Sequence, residues 1–204
     1  MDDVMTQKAE LRRQMLEKRD RLEKGYCMDS DRGILEQILE MEAYRQAEVI
    51  FTYVSMEKEA DTRELILHAL NDGKQVAVPR CGKKGIMKAY GIENMGELEP
   101  GTHDILEPVK WCQEVQAKDI GLVLVPCVCC CEAGVRLGYG GGYYDRYLPG
   151  TLAPAAVLCR EEMLTERIPK EEHDWVMDFV VTEKRVINVR KTGRPFLWGQ
   201  SLSG

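Results

Sequence analysis

Apolar residues along this chain fall into short runs separated by polar, periodic stretches. In residues 6–24, Leu11, Met15 and Leu22 make a sparse apolar stripe among lysines, arginines and glutamates. Thr6 supplies a cap and Gly25 a stop, which predicts a charge-laced surface helix. Residues 30–47 place Ile34, Leu35, Ile38, Leu39 and Ala43 at helical spacing. Residues 48–55 are β-branched and aromatic, apolar enough for a strand buried on both faces. A polar loop at 56–62 follows, then a helix capped by Asp61 or Thr62, running through Leu70 and ended by Asn71-Asp72-Gly73. Strands are predicted at 75–81 and 86–92 around a turn at 82–85, with 97–108 irregular. Apolar runs at 120–128, 154–159 and 178–183 read as further buried strands, the last closing the sheet. Strands alternating with helical segments predict an α/β fold: a single domain over residues 1–186, with a mostly parallel central sheet and helices on both faces. Residues 187–204 read as a loose tail.

One stretch breaks this alternation, Arg136-Leu-Gly-Tyr-Gly-Gly-Gly-Tyr-Tyr-Asp-Arg-Tyr-Leu148. Gly138, Gly140, Gly141 and Gly142 lie between a buried strand and a short helix that stops at Pro149-Gly150. Glycine loses more backbone entropy on ordering than any other residue. Such a run fits a place where main chain approaches a ligand, and strand–loop–helix geometry points free N–H groups at an anion. Arg136 and Arg146 flank the loop and add charge that suits phosphate oxygens. A plain tight turn is the alternative for the glycines alone. Neither common nucleotide fingerprint is met: Tyr143 stands where G-x-G-x-x-G needs glycine, and no Gly-Lys-Ser/Thr occurs.

Composition narrows the partners. The chain has 204 residues, which favours one domain with a sizeable core. Its net charge is −6, from 28 basic and 34 acidic residues, so bulk electrostatics favour neither nucleic acid nor an anionic membrane. No apolar run approaches a membrane span and the acidic first residues show no secretion signal, so a cytoplasmic chain is expected, as a monomer rather than an oligomer. Eight cysteines should then be free thiols. Four crowd at 127, 129, 130 and 131. In an extended strand 127, 129 and 131 share one face and 130 points away. Metal sites favour C-x₂₋₄-C pairs with a second pair or histidines elsewhere, so the cluster reads as small buried hydrophobes, with zinc or iron–sulfur as the alternative. His68, His103 and His173 show no metal-pair spacing and no tie to a nucleophile.

The stretch R-L-G-Y-G-G-G-Y-Y-D-R resembles the signature of the 5-formyltetrahydrofolate cyclo-ligase (5,10-methenyltetrahydrofolate synthetase) family. Further similar pieces are Lys8-x-x-Leu11-Arg12, Glu59-x-Asp61-Thr62, Ile105-Leu-Glu-Pro108, Ile168-Pro-x-Glu-x-His-Asp174 and Asp178-x-Val-Val-Thr-Glu183, so the resemblance spans most of the chain. It implies MgATP-dependent cyclisation of 5-formyltetrahydrofolate to 5,10-methenyltetrahydrofolate, with ADP and phosphate released. By the same resemblance ATP meets Lys8, Arg12, Arg136, Gly138, Tyr139, Gly140, Gly141, Gly142, Tyr143 and Tyr144. The folate meets Met56, Glu59 and Asp61, together with Tyr139, Gly140, Gly141, Gly142 and Tyr143. Arg146 and Tyr143 carry the catalytic roles, and Asp145 and Asp174 hold Mg²⁺. A carboxylate suits the pterin edge, whose amino and ring N–H groups form a fork of donors. The chain departs from the family in three respects. Cys130 and Cys131 stand where an aromatic and an aspartate are usual. Gly141 replaces a common lysine, and Met163 lies near a common glutamine. A folate- or nucleotide-binding protein without turnover, and another phosphate-handling α/β enzyme, are the alternative readings.

Overall fold

The computed structural model describes residues 2–56, 58–101 and 105–189. The expected tail residues 190–204 and His103 lie outside them. In chain order the helices are α1 (Asp2–Asp20), α2 (Lys24–Glu40), α3 (Glu42–Gln46), α4 (Arg63–Asn71) and α5 (Tyr143–Tyr147). The strands are β1 (Val49–Phe51), β2 (Gln75–Cys81), β3 (Met87–Ile92), β4 (Leu98–Pro100), β5 (Leu106–Pro108), β6 (Glu114–Val115), β7 (Leu122–Val125), β8 (Cys129–Cys130), β9 (Arg136–Leu137), β10 (Ala155–Leu158), β11 (Phe179–Val181) and β12 (Val186–Asn188).

An eight-stranded sheet runs β12-β11-β10-β7-β1-β2-β3-β6. Its five central strands, β11 to β2, are parallel. The outer pairings β11–β12, β2–β3 and β3–β6 are antiparallel. Alternation along each central strand sorts side chains into two cores, because successive residues point to opposite faces. Ile50, Val76, Val78, Leu122, Leu124, Ala156 and Leu158 pack under α2, α3 and α4. Phe51, Ala77, Val123, Val125, Ala155 and Val157 pack with Met15 of α1 and Tyr144 of α5. The expected α/β architecture, with helices on both faces, is therefore what the chain forms.

Several boundaries differ from expectation, each for a local reason. The first helix ends at Asp20, not at Gly25. Arg21 and Leu22 close back onto Lys18 and Arg19 carbonyls, Glu23 is extended, and Gly25 lies in the first turn of α2. Thr6 sits within α1 and does not cap it. The strand expected over 48–55 pairs only through Phe51. Beyond it, side chains replace the ladder. The Thr62 hydroxyl donates to Tyr53 O at 2.7 Å, and the Ser55 and Thr62 hydroxyls accept from each other's backbone N–H. The 97–108 stretch contains an antiparallel hairpin of β4 and β5. The sheet ends on β12, not at 183, and β12 takes in residues 187 and 188.

Strand order reverses direction of growth between β1 and β7. The chain moves from β1 outward through β2, then returns to β7 and moves the other way through β10 and β11. Such a switch point opens a crevice beyond the strands' carboxyl ends. The 56–62 loop follows β1 and the glycine loop follows the β7–β9 segment, so both leave the sheet at that crevice.

Candidate active site

The glycine loop takes the conformations its sequence demands. Gly140 and Gly142 have φ of +97° and +64°, where a side chain would strain the backbone. Gly138 is held by a different constraint: an added Cβ would lie 2.6 Å from Arg136 Nη1. At Gly141 it would lie 2.8 Å from the Tyr143 ring, so the loop is packed from beneath by its own flanking residues.

Helix α1 lies against this loop. Arg12 Nε donates to Gly138 O at 2.8 Å, and Arg19 Nη1 donates to the Tyr139 hydroxyl at 2.7 Å. Lys8 Nζ donates to Asp174 Oδ2 at 2.6 Å and to Glu171 Oε2 at 2.8 Å. Lys8, Arg12 and Arg19 thus share the helix face turned to the crevice, and Met15 on the apolar stripe anchors that helix in the core.

Arg136 stands beneath the loop with its side chain only 6% exposed. Its Nη2 donates to Asp145 Oδ2 at 3.0 Å, and its guanidinium lies 5.6 Å from the Tyr144 ring centroid. The other oxygen of Asp145 accepts from Trp175 N at 3.3 Å, which sets Asp145 beside the Asp174 loop. Arg136 Nε and the Tyr144 hydroxyl are buried without hydrogen-bond partners. Buried polar atoms are rarely left unpaired, so a ligand or water is the expected partner. Arg146 reaches over the loop, donating from Nε to Gly85 O at 3.0 Å and from Nη2 to Gly141 O. Gly85 has φ of +71°, where a side chain would strain the backbone, and the Arg146 guanidinium lies directly over it.

The second wall is the loop after β1. Glu59 is 7% exposed, and its carboxylate accepts from Met56 N at 2.8 Å. Burial pushes its carboxyl above the ordinary range. Asp61 accepts from the Ser55 hydroxyl at 2.7 Å and from Arg63 N at 2.9 Å. It therefore serves the start of α4, whereas Thr62 makes no capping bond there. Arg160, at the end of β10, clamps this loop from behind. It donates to Lys58 O, Glu59 O and Asp31 Oδ1 at 3.0, 2.8 and 2.6 Å. In the sequence Arg160 goes unmarked, while Gly85 falls in a turn and Glu171 in a motif without a role for either. The available signals were an arginine just past a buried strand, a glycine closing a basic turn, and an acid three residues before Asp174.

Lys8 and Asp174 hold each other's charge. Burial alone pushes the Asp174 carboxyl up, but hydrogen bonds from the Lys8 ammonium and Glu171 N–H outweigh it and leave it below the ordinary range. Burial likewise pulls the Lys8 ammonium down, and Asp174 and Glu171 outweigh that and raise it. A depressed acid stabilises the fold above its ordinary pKa, and a raised base does so below its own. The pair's stabilisation is therefore complete from roughly pH 4 to pH 10 and is lost only as pH moves outward through the shifted values. Replacing Lys8 by methionine should lift the Asp174 pKa above the ordinary carboxylate value, as followed by carbon-detected NMR titration. An unmoved titration would contradict this pairing.

For a divalent cation, the side chains present are hard carboxylate oxygens with one imidazole beside them. The carboxylates of Asp174 and Glu171 come together with His173, their ligand atoms lying within 4.8 Å of one another. Asp145 adjoins them through Trp175 N–H. Carboxylate oxygens of this kind suit magnesium, which takes one or two and leaves the remainder to water and phosphate.

A switch-point crevice, an amide-rich glycine loop and five surrounding cations make this an α/β protein with a cationic candidate site at the carboxyl ends of its strands. A profile of the 5-formyltetrahydrofolate cyclo-ligase family matches residues 4–183. The chain belongs to that family. It is 32% identical over 149 residues to the 5-formyltetrahydrofolate cyclo-ligase of Mycolicibacterium smegmatis, covering 68% of this chain and 75% of that protein. Its likeness to the Saccharomyces cerevisiae enzyme of the same name is 28% over 203 residues, covering 87% and 95%. The solved structure of Aquifex aeolicus 5,10-methenyltetrahydrofolate synthetase superposes with a TM-score of 0.81 at 26% identity, covering 97% of this chain and 99% of the other.

Proposed function

We propose that this chain catalyses ATP-dependent closure of 5-formyltetrahydrofolate to 5,10-methenyltetrahydrofolate, releasing ADP and phosphate. The observation that carries the reading is the gathering of Arg12, Arg136 and Arg146 at one glycine loop, with Lys8 one turn before Arg12 on the same helix and held by Asp174 and Glu171, in a chain that matches this family over residues 4–183. The formyl oxygen attacks the γ-phosphorus and ADP leaves. The phosphorylated oxygen makes the formyl carbon electrophilic, N10 closes the ring, and phosphate departs with that oxygen. Little proton transfer is required, so the protein contributes alignment and charge neutralisation.

In this reading the amides of residues 138–142 and the cations Lys8, Arg12 and Arg136 hold the polyphosphate, with Tyr139, Tyr143 and Tyr144 lining it. Tyr143 and Arg146 flank the transferred phosphoryl group. Arg146 stands over Gly141 and Gly142, and supplies the cation that a lysine at 141 would bring. Asp61, Glu59 and Met56 hold the pterin. Bound Mg²⁺, held by Asp174 and Asp145, would neutralise phosphate charge and orient its oxygens. Before ligand arrives, the cations are occupied by the chain's own carboxylates: Lys8 by Asp174 and Glu171, Arg136 by Asp145. Binding exchanges partners, cations to phosphate and carboxylates to metal, so no charge is left bare at either stage.

Cys130, Cys131 and Met163, which stand at or near family site positions, are buried, with Cys130 and Met163 in the core against α1. They contribute packing. A cytoplasmic monomer acting on small molecules fits a described structure whose eight cysteines are all thiols. Mixing the protein with 5-formyltetrahydrofolate, Mg²⁺ and ATP should give a rising near-ultraviolet band of the methenyl product. That band should be absent without ATP. Calorimetric binding of both ligands with no absorbance change would identify a binder without turnover.

A further inference from the structure

The thiols do not lie as a simple strand would set them. Cys127 and Cys130 come together with Cys159, and the three Sγ atoms lie within 4.8 Å of one another. The expectation that 127 would share a face with 129 and 131, with 130 turned away, fails because only Cys129 and Cys130 are in strand pairing. The chain turns between β7 and β8, which brings 127 beside 130. The parallel neighbour β10 then delivers Cys159 from its carboxyl end.

We propose that Cys127, Cys130 and Cys159 form a binding site for one thiophilic d¹⁰ metal ion of the zinc–cadmium class, separate from the magnesium carboxylates. At metal–sulfur distances of about 2.3 Å, ligand sulfurs sit roughly 3.7–4.0 Å apart, a spacing that the observed cluster already permits. The positions are fixed by backbone hydrogen bonds before any ion arrives. Thr165 N donates to Cys130 O at 2.9 Å, Cys159 N donates to Val181 O at 3.0 Å, and Val128 N donates to Leu137 O at 2.7 Å. Cys130 and Cys159 are buried and Cys127 is partly exposed, so an ion and a water as fourth ligand would enter past Cys127. Sulfur donors favour zinc or cadmium over magnesium or calcium. A divalent ion offsets two of three thiolate charges, and the buried Arg160 guanidinium follows Cys159 in the chain. Binding releases protons and should tighten as pH rises. Nothing in this site depends on the folate reading.

The test is anaerobic titration of the reduced, full-length protein with Cd²⁺. A thiolate-to-cadmium charge-transfer band should saturate at one equivalent. Cys159→Ser should cut its intensity by about a third and weaken binding by at least about 100-fold, since even a residue behind a ligand commonly costs 10–100-fold. Cys131→Ser, buried nearby but outside the trio, should leave both unchanged. Should the serine variants fail to fold, the wild-type protein still decides. A single ¹¹³Cd resonance in the multi-thiolate range, with Cys127, Cys130 and Cys159 shielded from alkylation in mass spectrometry, supports the site. No saturation at one equivalent, shielding of other cysteines, or a full band in Cys159→Ser overturns it.

Discussion

Replacing Arg136 by methionine should lower turnover by about 10²–10³-fold, the loss typical of removing one preorganised donor from a developing charge. Two contacts and one unsatisfied donor make this residue hard to substitute. It pairs with Asp145, lies over the Tyr144 ring, and keeps one nitrogen unpaired inside the crevice. Methionine keeps the bulk but leaves Asp145 without its cation. Lysine should recover only part of the rate, because a point charge cannot bridge the carboxylate and cover the ring at once. Steady-state rates at saturating folate and varied ATP check this. A variant with unchanged kcat and kcat/KM would remove Arg136 from the phosphate site.

Replacing Arg160 by methionine should destabilise the fold by about 3–5 kcal/mol, the usual cost of breaking a buried pair from one side. For a domain of this size that is roughly a 10 °C fall in Tm. Arg160 is 4% exposed and is the cation that Asp31 faces at 2.6 Å, while the carbonyls of Lys58 and Glu59 also depend on it. Burial pushes the Asp31 carboxyl up even with Arg160 present, so losing the arginine should push it higher still and favour the protonated acid. The Arg160→Met variant should accordingly recover stability as pH falls, against the trend of the parent protein. Differential scanning calorimetry at several pH values reads both effects. A Tm within about 2 °C of the parent would contradict them.

Much of this was legible in the sequence because its signals are local. The glycine loop and its flanking arginines occupy one continuous stretch, and Lys8 and Arg12 share a helix face by spacing alone. Alternating strands and helices likewise fix the layered fold. What could not be read depends on which strands become neighbours. Arg160 meets the 58–59 backbone across about a hundred residues, and Cys159 meets Cys130 only because β10 lies next to β7. The early end of β1 was hidden for another reason. Apolar residues at 53 and 54 continue the strand pattern, but Thr62 and Ser55 hydrogen bonds draw that backbone into the loop. The hairpin of β4 and β5 was masked by Pro100 and Pro108, residues that edge strands tolerate and central strands do not.

The central claim is that the chain's own carboxylates hold its cations until a polyphosphate takes them. A crystal structure with Mg²⁺, a non-hydrolysable ATP analogue and 5-formyltetrahydrofolate tests it most directly. The account predicts the phosphates against the amides of residues 138–142, with Lys8 Nζ moved from Asp174 onto a phosphate oxygen. Nucleotide bound elsewhere, with Lys8 still on Asp174 and Glu171, would contradict it.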